Sequence, residues 1–229
     1  MIKLQKSKIP DVLEKNGDLW LEQLFAAKSE GDQKKIAYRQ SKYNHPDIKR
    51  AVRAETNGKC AYCEADVGAV AHGDIEHIYP KSLDDSRTFD WSNLGFACQI
   101  CNQNKSNKDP ISNRIIDPYT IDPAPFVSFI GAFASSNGTT EGTLTIINLD
   151  LNRAALIERR NSAFKHLILF LEIIQKSRSP SERQALVSHF TENELGAIHE
   201  FSALRRDFWK AYGSALDETD SSSCTLEAY

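Results

Sequence analysis

The segment DIEHIYPKS at residues 74–82 lies between two cysteine pairs, CAYC at 60–63 and CQIC at 98–101. Four thiolates offered as two short pairs match the tetrahedral sulfur coordination of structural zinc, in which no position remains for water. The stretch between the pairs exceeds the roughly 15–20 residues of a simple zinc ribbon, so further structure must be inserted there. We therefore predict a structural Zn²⁺ bound by four residues: Cys60, Cys63, Cys98 and Cys101.

Redox chemistry is the alternative use of such cysteine pairs. Thioredoxin-type chemistry needs one pair at the opening of a helix within a βαβ pattern, and neither pair has that setting. The fifth cysteine, Cys224, stands alone in a Ser-rich stretch. The start of the chain has charge but no apolar stretch of the secretory type, and no run approaches the roughly 20 apolar residues of a membrane span. We expect a cytoplasmic protein without a disulfide framework.

Composition and charge limit the function classes. The chain has 229 residues, of which 41% are hydrophobic and 26% charged, as in ordinary globular proteins. The 28 basic and 31 acidic side chains argue against a uniformly basic nucleic-acid binder. Residues 1–53, however, hold 12 basic against seven acidic side chains. We therefore expect weak, local attraction for phosphate, supplemented by bound metal.

The N-terminal half divides into helices and a segment poor in apolar residues. A helix with Asp18 as its cap is predicted in a lead-in over 1–45. A second helix is predicted from Pro46, with Ile48 and Val52 on one face and Gly58 after its end. The region 58–118 is too poor in apolar residues to form a core unaided, which favours stabilisation by a metal.

The C-terminal half is predicted to contain a hairpin followed by helices. Two strands are expected at 126–133 and 143–149, around the polar turn 135–138. Asn152 is expected to cap a long helix. Capping boxes are expected to open two further helices, the last of which ends before Gly213. The two capping boxes are residues 179–182 and 191–194.

These patterns predict a mostly helical α+β protein in four parts. They are a helical segment at 1–45, a metal-braced domain at 46–118, a hairpin and helical region at 119–213, and a disordered acidic tail at 214–229.

Three pieces inside and after the cysteine-flanked segment are specific in combination: DIEHIYPKS at 74–82, WSNL at 91–94 and CNQNK at 101–105. In this combination the sequence resembles the HNH endonucleases. The resemblance implies a ββα-metal (His-Me finger) unit that holds one divalent ion, flanked in the zinc-bearing members by two cysteine knuckles.

Phosphodiester hydrolysis requires an activated water and neutralisation of charge on the phosphate. An imidazole with a pKa near 6.5 accepts a proton at cellular pH, which makes His77 the natural general base. By resemblance, Glu76 and Asn102 hold Mg²⁺ or Mn²⁺, ions that prefer oxygen ligands. Asn93 matches the central Asn of the motif, which holds the metal loop and orients the histidine.

The sequence departs from the family pattern at two positions. The residue before the histidine is commonly Asp or His but here is Glu76, whose extra methylene moves the carboxylate. Asp74, on the same face of a strand, is an alternative carboxylate that shares or replaces this role. Asn102 stands where many members have His, which favours a hard ion, and Asn104 is a weaker candidate for that position.

Six basic residues are candidates for contact with phosphate. Lys105 is assigned to the catalytic group, and Lys81 and Lys108 are weaker candidates near it. Lys49, Arg50 and Arg53 lie off the apolar face of the second predicted helix. For these three, a solvated surface is the alternative interpretation.

A closer resemblance rests on KCAYCE at 59–64, the IEH-x-x-PKS form of the motif, and LDLNR at 149–153 followed by Arg159 and Arg160. These resemble the PtuB family, the nuclease subunits of Septu-type antiphage systems, also found as retron-associated effectors. The resemblance implies an ABC-type ATPase partner (PtuA-like), or a retron reverse transcriptase with its RNA–DNA product. A partner footprint is expected to include exposed aromatic residues: Trp20, Trp209 and Tyr212.

We therefore predict a metal-dependent HNH endonuclease that cleaves DNA or structured RNA such as tRNA. We do not expect a membrane protein. The alternative is a catalytically inactive zinc module that binds nucleic acid or a partner protein. The two differ in whether Glu76, His77 and Asn102 converge on one point.

Overall fold

The computed structural model describes residues 1–68 and 73–213. The tail predicted at 214–229 lies outside the described residues. Eight α-helices and two small antiparallel sheets form the described fold, which confirms the mostly helical α+β class. Within the described residues no helix has the length and apolar character needed to cross a membrane.

The N-terminal helices are α1 (Asp11–Glu30), α2 (Gln33–Gln40) and α3 (Pro46–Glu55), with a short 3₁₀ turn at Ser41–Asn44. Helix α1 begins directly after Pro10, so Asp18 lies inside the helix and the predicted cap is wrong. The reason is that the apolar face already includes Leu13, which is buried in the core.

Helix α3 forms as the sequence predicts. Pro46 occupies its first turn, and the side chain of His45 accepts a hydrogen bond from the backbone N–H of Asp47. Ile48 and Val52 are fully buried. The chain leaves the helix through Gly58, whose φ of 79° lies in the left-handed region that glycine tolerates at no steric cost.

The central unit consists of strands β1 (Asp74–His77) and β2 (Leu94–Ala97), followed by helix α4 (Gln99–Lys105). The strands are antiparallel, with Glu76 opposite Gly95 and His77 opposite Leu94. Leu94, Phe96 and Ala97 are almost completely buried, and α3 packs against this strand. This ββα arrangement places the 74–82 segment beside the first turns of α4.

The predicted hairpin exists, but it is shorter than expected. Strands β3 (Ser128–Ile130) and β4 (Phe133–Ser135) pair across Gly131. Strand β3 lies within the first predicted strand, 126–133, and β4 starts at the last residue of that strand. The residues expected as the second strand belong instead to helix α5 (Thr140–Leu149), because the Thr139 side chain caps its first turn and its Thr145 and Leu149 pack into the core.

Helices α6 (Ala154–Gln175), α7 (Pro180–Asn193) and α8 (Ser202–Tyr212) complete the described fold. Ser179 caps α7 as predicted, accepting from the N–H of Glu182. The second capping box is wrong, because residue 191 lies inside α7. The Asn152 cap is also wrong, because the amide of Asn152 pairs with the backbone of Ala134 at 2.8 and 3.0 Å.

Two of the three aromatic residues expected at a partner footprint pack against other aromatic rings within the fold. Trp20 packs against Phe89 with ring centroids 5.7 Å apart, and Trp209 stacks on Phe190 at 4.8 Å. Both tryptophans are partly buried against the core. Only Tyr212 of the three is exposed, at 37%.

Candidate active site and zinc centre

The four cysteine sulfurs lie within 4.8 Å of one another. Two of them come from a tight loop closed by a bridge between Lys59 and Asp66, and two come from the first turn of α4. Four sulfurs at a Zn–S distance of about 2.3 Å in a tetrahedron are about 3.8 Å apart. The Cys63 and Cys98 Sγ atoms are separated by 3.9 Å. The arrangement therefore fits a structural zinc ion.

The four thiols shift one another's pKa in opposite directions. Burial raises the pKa of Cys60, and hydrogen bonds with the other three cysteines raise the pKa of Cys101, whereas the pKa values of Cys63 and Cys98 are lowered. Hydrogen bonds from Cys101 and then Cys60 lower the pKa of Cys63 to about 7. The same two neighbours hold the pKa of Cys98 well below its ordinary value. Cys98 is half-buried whereas the other three are buried. Thiolates are the species that bind zinc.

A polar cavity of about 280 Å³ lies between β1, α4 and the 3₁₀ turn of the N-terminal segment. Glu76, His77 and Asn102, the three residues expected to converge, all line it. Its other lining residues are Gln40, Tyr43, Ile75, Pro80, Lys81, Ser82, Ser106 and Asn107. The ββα topology thus brings one carboxylate, one imidazole and one amide to the same space.

His77 is buried and held on two sides. Its Nε2 is 3.1 Å from the carbonyl oxygen of Thr88, so Nε2 carries the proton and donates it. The ring of Tyr43 meets the imidazole edge-on, with centroids 4.6 Å apart. Burial lowers the pKa of His77 to about 4. The imidazole is therefore neutral at neutral pH, and Nδ1 is the nitrogen that can accept a proton.

Glu76 forms a buried ion pair with Lys105. The Lys105 Nζ lies 2.7 Å from Glu76 Oε1 and also donates to the carbonyl oxygen of His77 at 2.9 Å. The hydroxyl of Tyr62 donates to the same carboxylate at 3.4 Å. Burial raises the pKa of Glu76, and the charge of Lys105 opposes that shift. Lys105 is only 1% exposed, and both of these contacts of its Nζ lie within the protein.

Asn102 and Asp74 lie together at the edge of the cavity. The Asn102 Nδ2 donates to Asp74 Oδ2 at 3.0 Å. Because the amide nitrogen is held in this way, the amide oxygen of Asn102 stays available as a ligand. Asp74 is half-exposed and contacts the cavity through Asn102. The neighbouring Asn104 is turned away and donates to the carbonyl oxygen of Leu149 at 3.1 Å.

Asn93 closes the loop that follows β1. Its Oδ1 accepts from the N–H of Tyr79 at 2.7 Å, and its Nδ2 donates to the carbonyl oxygens of Tyr79 and Arg87 at 3.0 and 3.1 Å. The residue is 2% exposed. The side chain therefore fixes the backbone directly after His77 and ties it to the segment that carries Thr88.

Comparison with known proteins agrees with this geometry. The family model described as HNH endonuclease matches residues 60–108. Residues 60–108 form an HNH endonuclease domain. This HNH domain contains the four cysteines, strands β1 and β2, and helix α4. It also contains the three residues that converge on the cavity: Glu76, His77 and Asn102. The match supports a nuclease, that is, a phosphodiester hydrolase.

Similarity to two curated proteins extends beyond the HNH domain. The chain is 26% identical over 203 positions to a Septu protein PtuB of Bacillus mycoides (strain KBAB4), covering 74% of this chain and 69% of the relative. It is 28% identical over 114 positions to a Septu protein PtuB of Bacillus thuringiensis, covering 49% and 44% respectively.

The basic residues differ in their relation to the HNH cavity. Lys81 lines it, with Nζ 5.0 Å from the centre of the Tyr43 ring. Lys108 donates to the carbonyl oxygens of Asn104 and Asn148 at 2.6 and 3.3 Å, which ties it to two helix ends. Lys49, Arg50 and Arg53 of α3 are not among the described residues that line the cavity. Arg50 pairs with Asp47 at 3.1 Å.

Gln40 and Tyr43 line the HNH cavity but come from outside the HNH domain. The sequence did not predict that either residue belongs to the site. They belong to the N-terminal segment and reach the cavity only through packing of α3 and its preceding turn against the central unit. A tyrosine three residues before a predicted helix carries no local signal for such a contact. A hydrogen bond within the HNH domain was also not predicted. The Ser82 hydroxyl donates to Asn107 Oδ1 at 2.9 Å.

Proposed function

We propose that the chain is a divalent-metal-dependent endonuclease that hydrolyses phosphodiester bonds in DNA or in structured RNA such as tRNA. The observation that carries this proposal is the convergence of Glu76, His77 and Asn102 on one polar cavity inside the HNH domain. A carboxylate, an imidazole and an amide in one cavity meet the separate needs of phosphodiester hydrolysis.

His77 acts as the general base in this proposal. Its Nε2 proton is committed to the Thr88 carbonyl oxygen, so Nδ1 accepts the proton of the attacking water. Tyr43 and Asn93 hold the ring and the following backbone in place. Because burial lowers the pKa of His77 and keeps the imidazole neutral at neutral pH, Nδ1 is unprotonated there.

Glu76 and Asn102 are the residues that would hold Mg²⁺ or Mn²⁺. Their oxygen donors suit a hard ion, which keeps several waters and uses the substrate phosphate as a further ligand. When bound, the ion neutralises charge that develops on the phosphate. Asp74 orients the Asn102 amide, and Lys105 holds Glu76 against β1. Asp74 remains the alternative carboxylate ligand.

The four cysteines bind Zn²⁺ as a structural ion in this proposal. Their sulfurs join the loop before β1 to the start of α4, the two elements on either side of the cavity. The zinc centre therefore sets the position of α4, and with it Asn102, relative to Glu76. Full coordination by four thiolates leaves no catalytic position on this ion.

Lys81 is the basic residue best placed to contact substrate phosphate, because it lines the cavity. Partial burial lowers the pKa of Lys81, and the charge of Glu76 acts in the opposite direction. Lys49, Arg50 and Arg53 extend a basic surface along α3 and serve as weaker contacts. Lys108 has both its contacts within the protein, which supports a structural role.

The similarity to Septu PtuB proteins supports a role in antiphage defence. We propose that the nuclease acts in the cytoplasm together with an ABC-type ATPase of the PtuA kind. A retron reverse transcriptase with its RNA–DNA product is the alternative partner. The acidic balance of the chain outside residues 1–53 supports a need for a partner that helps to hold the nucleic acid.

An inactive zinc module is the second candidate function. The observation that favours it is the buried pair of Glu76 and Lys105, in which the carboxylate already has a cationic partner. A domain of this kind would bind nucleic acid or a partner protein without cleavage. Dependence of cleavage on a divalent ion separates the two candidates.

Purification of the protein with its co-expressed genomic neighbours, followed by incubation with plasmid DNA and total RNA, tests the proposal. We expect cleavage of one of these substrates with Mg²⁺ and none with EDTA. The identity of the co-purified protein tests the partner. Binding of either nucleic acid without cleavage, in the presence of Mg²⁺ and the partner, would support the inactive module instead.

A further inference from the structure

The guanidinium of Arg153 lies against two sulfurs of the cysteine cluster. Its Nη1 is 3.7 Å from Cys101 Sγ, and its Nη2 is 3.9 Å from Cys98 Sγ. The same Nη1 donates to the carbonyl oxygen of Asp150 at 3.0 Å, which holds the side chain in this position. Arg153 immediately precedes α6, outside the HNH domain.

Within the described residues, no carboxylate lies within ion-pair distance of Arg153. Its neighbours of opposite charge are thus the thiolates. A Zn²⁺ ion with four thiolates carries a net charge of about −2, and three of these four cysteines are buried. Buried charge is costly unless an opposite charge compensates it. Arg153 supplies one compensating charge at Cys98, the cysteine that is half-buried.

Another arginine, Arg160, lies on α6 itself. Arg160 is completely buried, and its Nη1 donates to the carbonyl oxygen of Leu151 at 2.6 Å. Its Nε and Nη2 have no hydrogen-bond partner among the described residues. Burial lowers the pKa of Arg160 to about 10, while the negative charges of Cys63 and Glu64 act in the opposite direction.

We infer that Arg153 is a positioning residue of the zinc centre. Its guanidinium neutralises thiolate charge at Cys98 and Cys101 and so couples retention of the metal to docking of α6 on the HNH domain. This inference rests on the proposed occupancy of the four cysteines by zinc.

A matched control exists on the same helix. Arg159 forms an ion pair with Glu200 at 2.5 Å, and the same carboxylate accepts from the N–H of Asp66 at 2.5 Å. This contact also joins the C-terminal region to the cysteine loop, but its partner is a carboxylate. Loss of docking alone should therefore affect the Arg159 and Arg153 variants alike, whereas loss of charge compensation should affect only the latter.

The test compares zinc affinity in wild type, Arg153→Met, Arg153→Lys and Arg159→Met of the full chain. Zinc content of the wild type is measured first, and affinity is then measured by competition with a chromogenic chelator. Substitution of outer-sphere partners typically weakens metal binding about 10–100-fold. We expect a loss of that size in Arg153→Met, a smaller loss in Arg153→Lys, and a change below about twofold in Arg159→Met.

Cobalt substitution supplies a second measurement, the position of an absorption band, which a change in packing alone should not alter. In Co²⁺-loaded protein the thiolate-to-metal absorption band should shift in Arg153→Met and stay in place in Arg159→Met. If Arg153→Met fails to fold, Arg153→Gln decides, because it also removes the positive charge but keeps a polar side chain. Wild-type affinity and an unshifted band in Arg153→Gln would overturn the inference. Equal affinities in Arg153→Met and wild type would also overturn it. A wild type without zinc would instead refute the zinc centre itself.

Discussion

Replacement of His77 by alanine should reduce cleavage by about 10²–10⁴-fold, the usual contribution of general acid–base catalysis. The loss follows because Nδ1 of His77 is the proposed acceptor for the proton of the attacking water. His77→Gln should lose activity to the same extent, since its amide can still donate to the Thr88 carbonyl oxygen but accepts no proton at neutral pH. Initial cleavage rates with Mg²⁺ and the partner measure the effect.

Two controls separate catalysis from folding in the His77 variants. Zinc content and the cooperative unfolding transition should be preserved in His77→Gln, which retains a polar side chain in the cavity. His166→Ala removes a histidine on α6 whose side chain is 57% exposed, and it should leave the cleavage rate unchanged. Wild-type cleavage by a folded His77→Ala protein would refute the assignment of the general base.

Loss of zinc should abolish the folded HNH domain. Structural zinc contributes an apparent binding free energy of about 10–16 kcal/mol in zinc-finger peptides. That range overlaps the upper part of the stability of about 5–15 kcal/mol of a typical domain, so losing the ion removes most or all of such a stability. We therefore expect Cys60→Ser, or treatment with a strong chelator, to remove the cooperative unfolding of this domain and its nuclease activity together.

Circular dichroism during thermal unfolding, with zinc content from the same sample, measures this effect. Cys224→Ser is the matched control, because Cys224 belongs to neither cysteine pair. That variant should keep about one zinc ion per chain and the wild-type transition. A Cys60→Ser protein that binds no zinc but unfolds and cleaves like the wild type would refute a structural role for the ion.

Local signals in the sequence predicted the features that depend on neighbouring residues. Proline at the start of α3 and glycine after its end act through their own backbone geometry. The two cysteine pairs similarly contain all four residues of one sulfur cluster, and residues 74–82 together with Asn102 contribute most of the lining of one cavity. Such features need no knowledge of the distant chain.

Features decided by distant contacts were predicted incorrectly. Residues 143–149 are rich in β-branched side chains, which favour strands, yet they form part of α5. There the Thr145 hydroxyl accepts from the N–H of Ile116 at 2.9 Å. A Cβ on Gly142 would lie 2.1 Å from the carbonyl oxygen of Phe126, so only glycine permits this approach. Tertiary contact thus overrides the local preference.

The same limit applies to the side chains of the site. Lys105 has the sequence context of a phosphate contact, but its burial beside Glu76 depends on how α4 packs on β1. Tyr43 reaches His77 only because the N-terminal segment folds over the cavity. Residue type and spacing identify which groups take part in a site, whereas their distances and burial decide what each group does.

The most direct test of the account is the position of a divalent ion in crystals soaked with Mn²⁺. Anomalous difference maps should show zinc at the four cysteine sulfurs and a separate Mn²⁺ within about 2.5 Å of oxygens of Glu76 and Asn102, beside His77. Glu76→Gln should lose the Mn²⁺ peak and keep the zinc peak. A wild-type crystal with zinc at the cysteines and no Mn²⁺ in the cavity, or Mn²⁺ bound only elsewhere, would contradict the account.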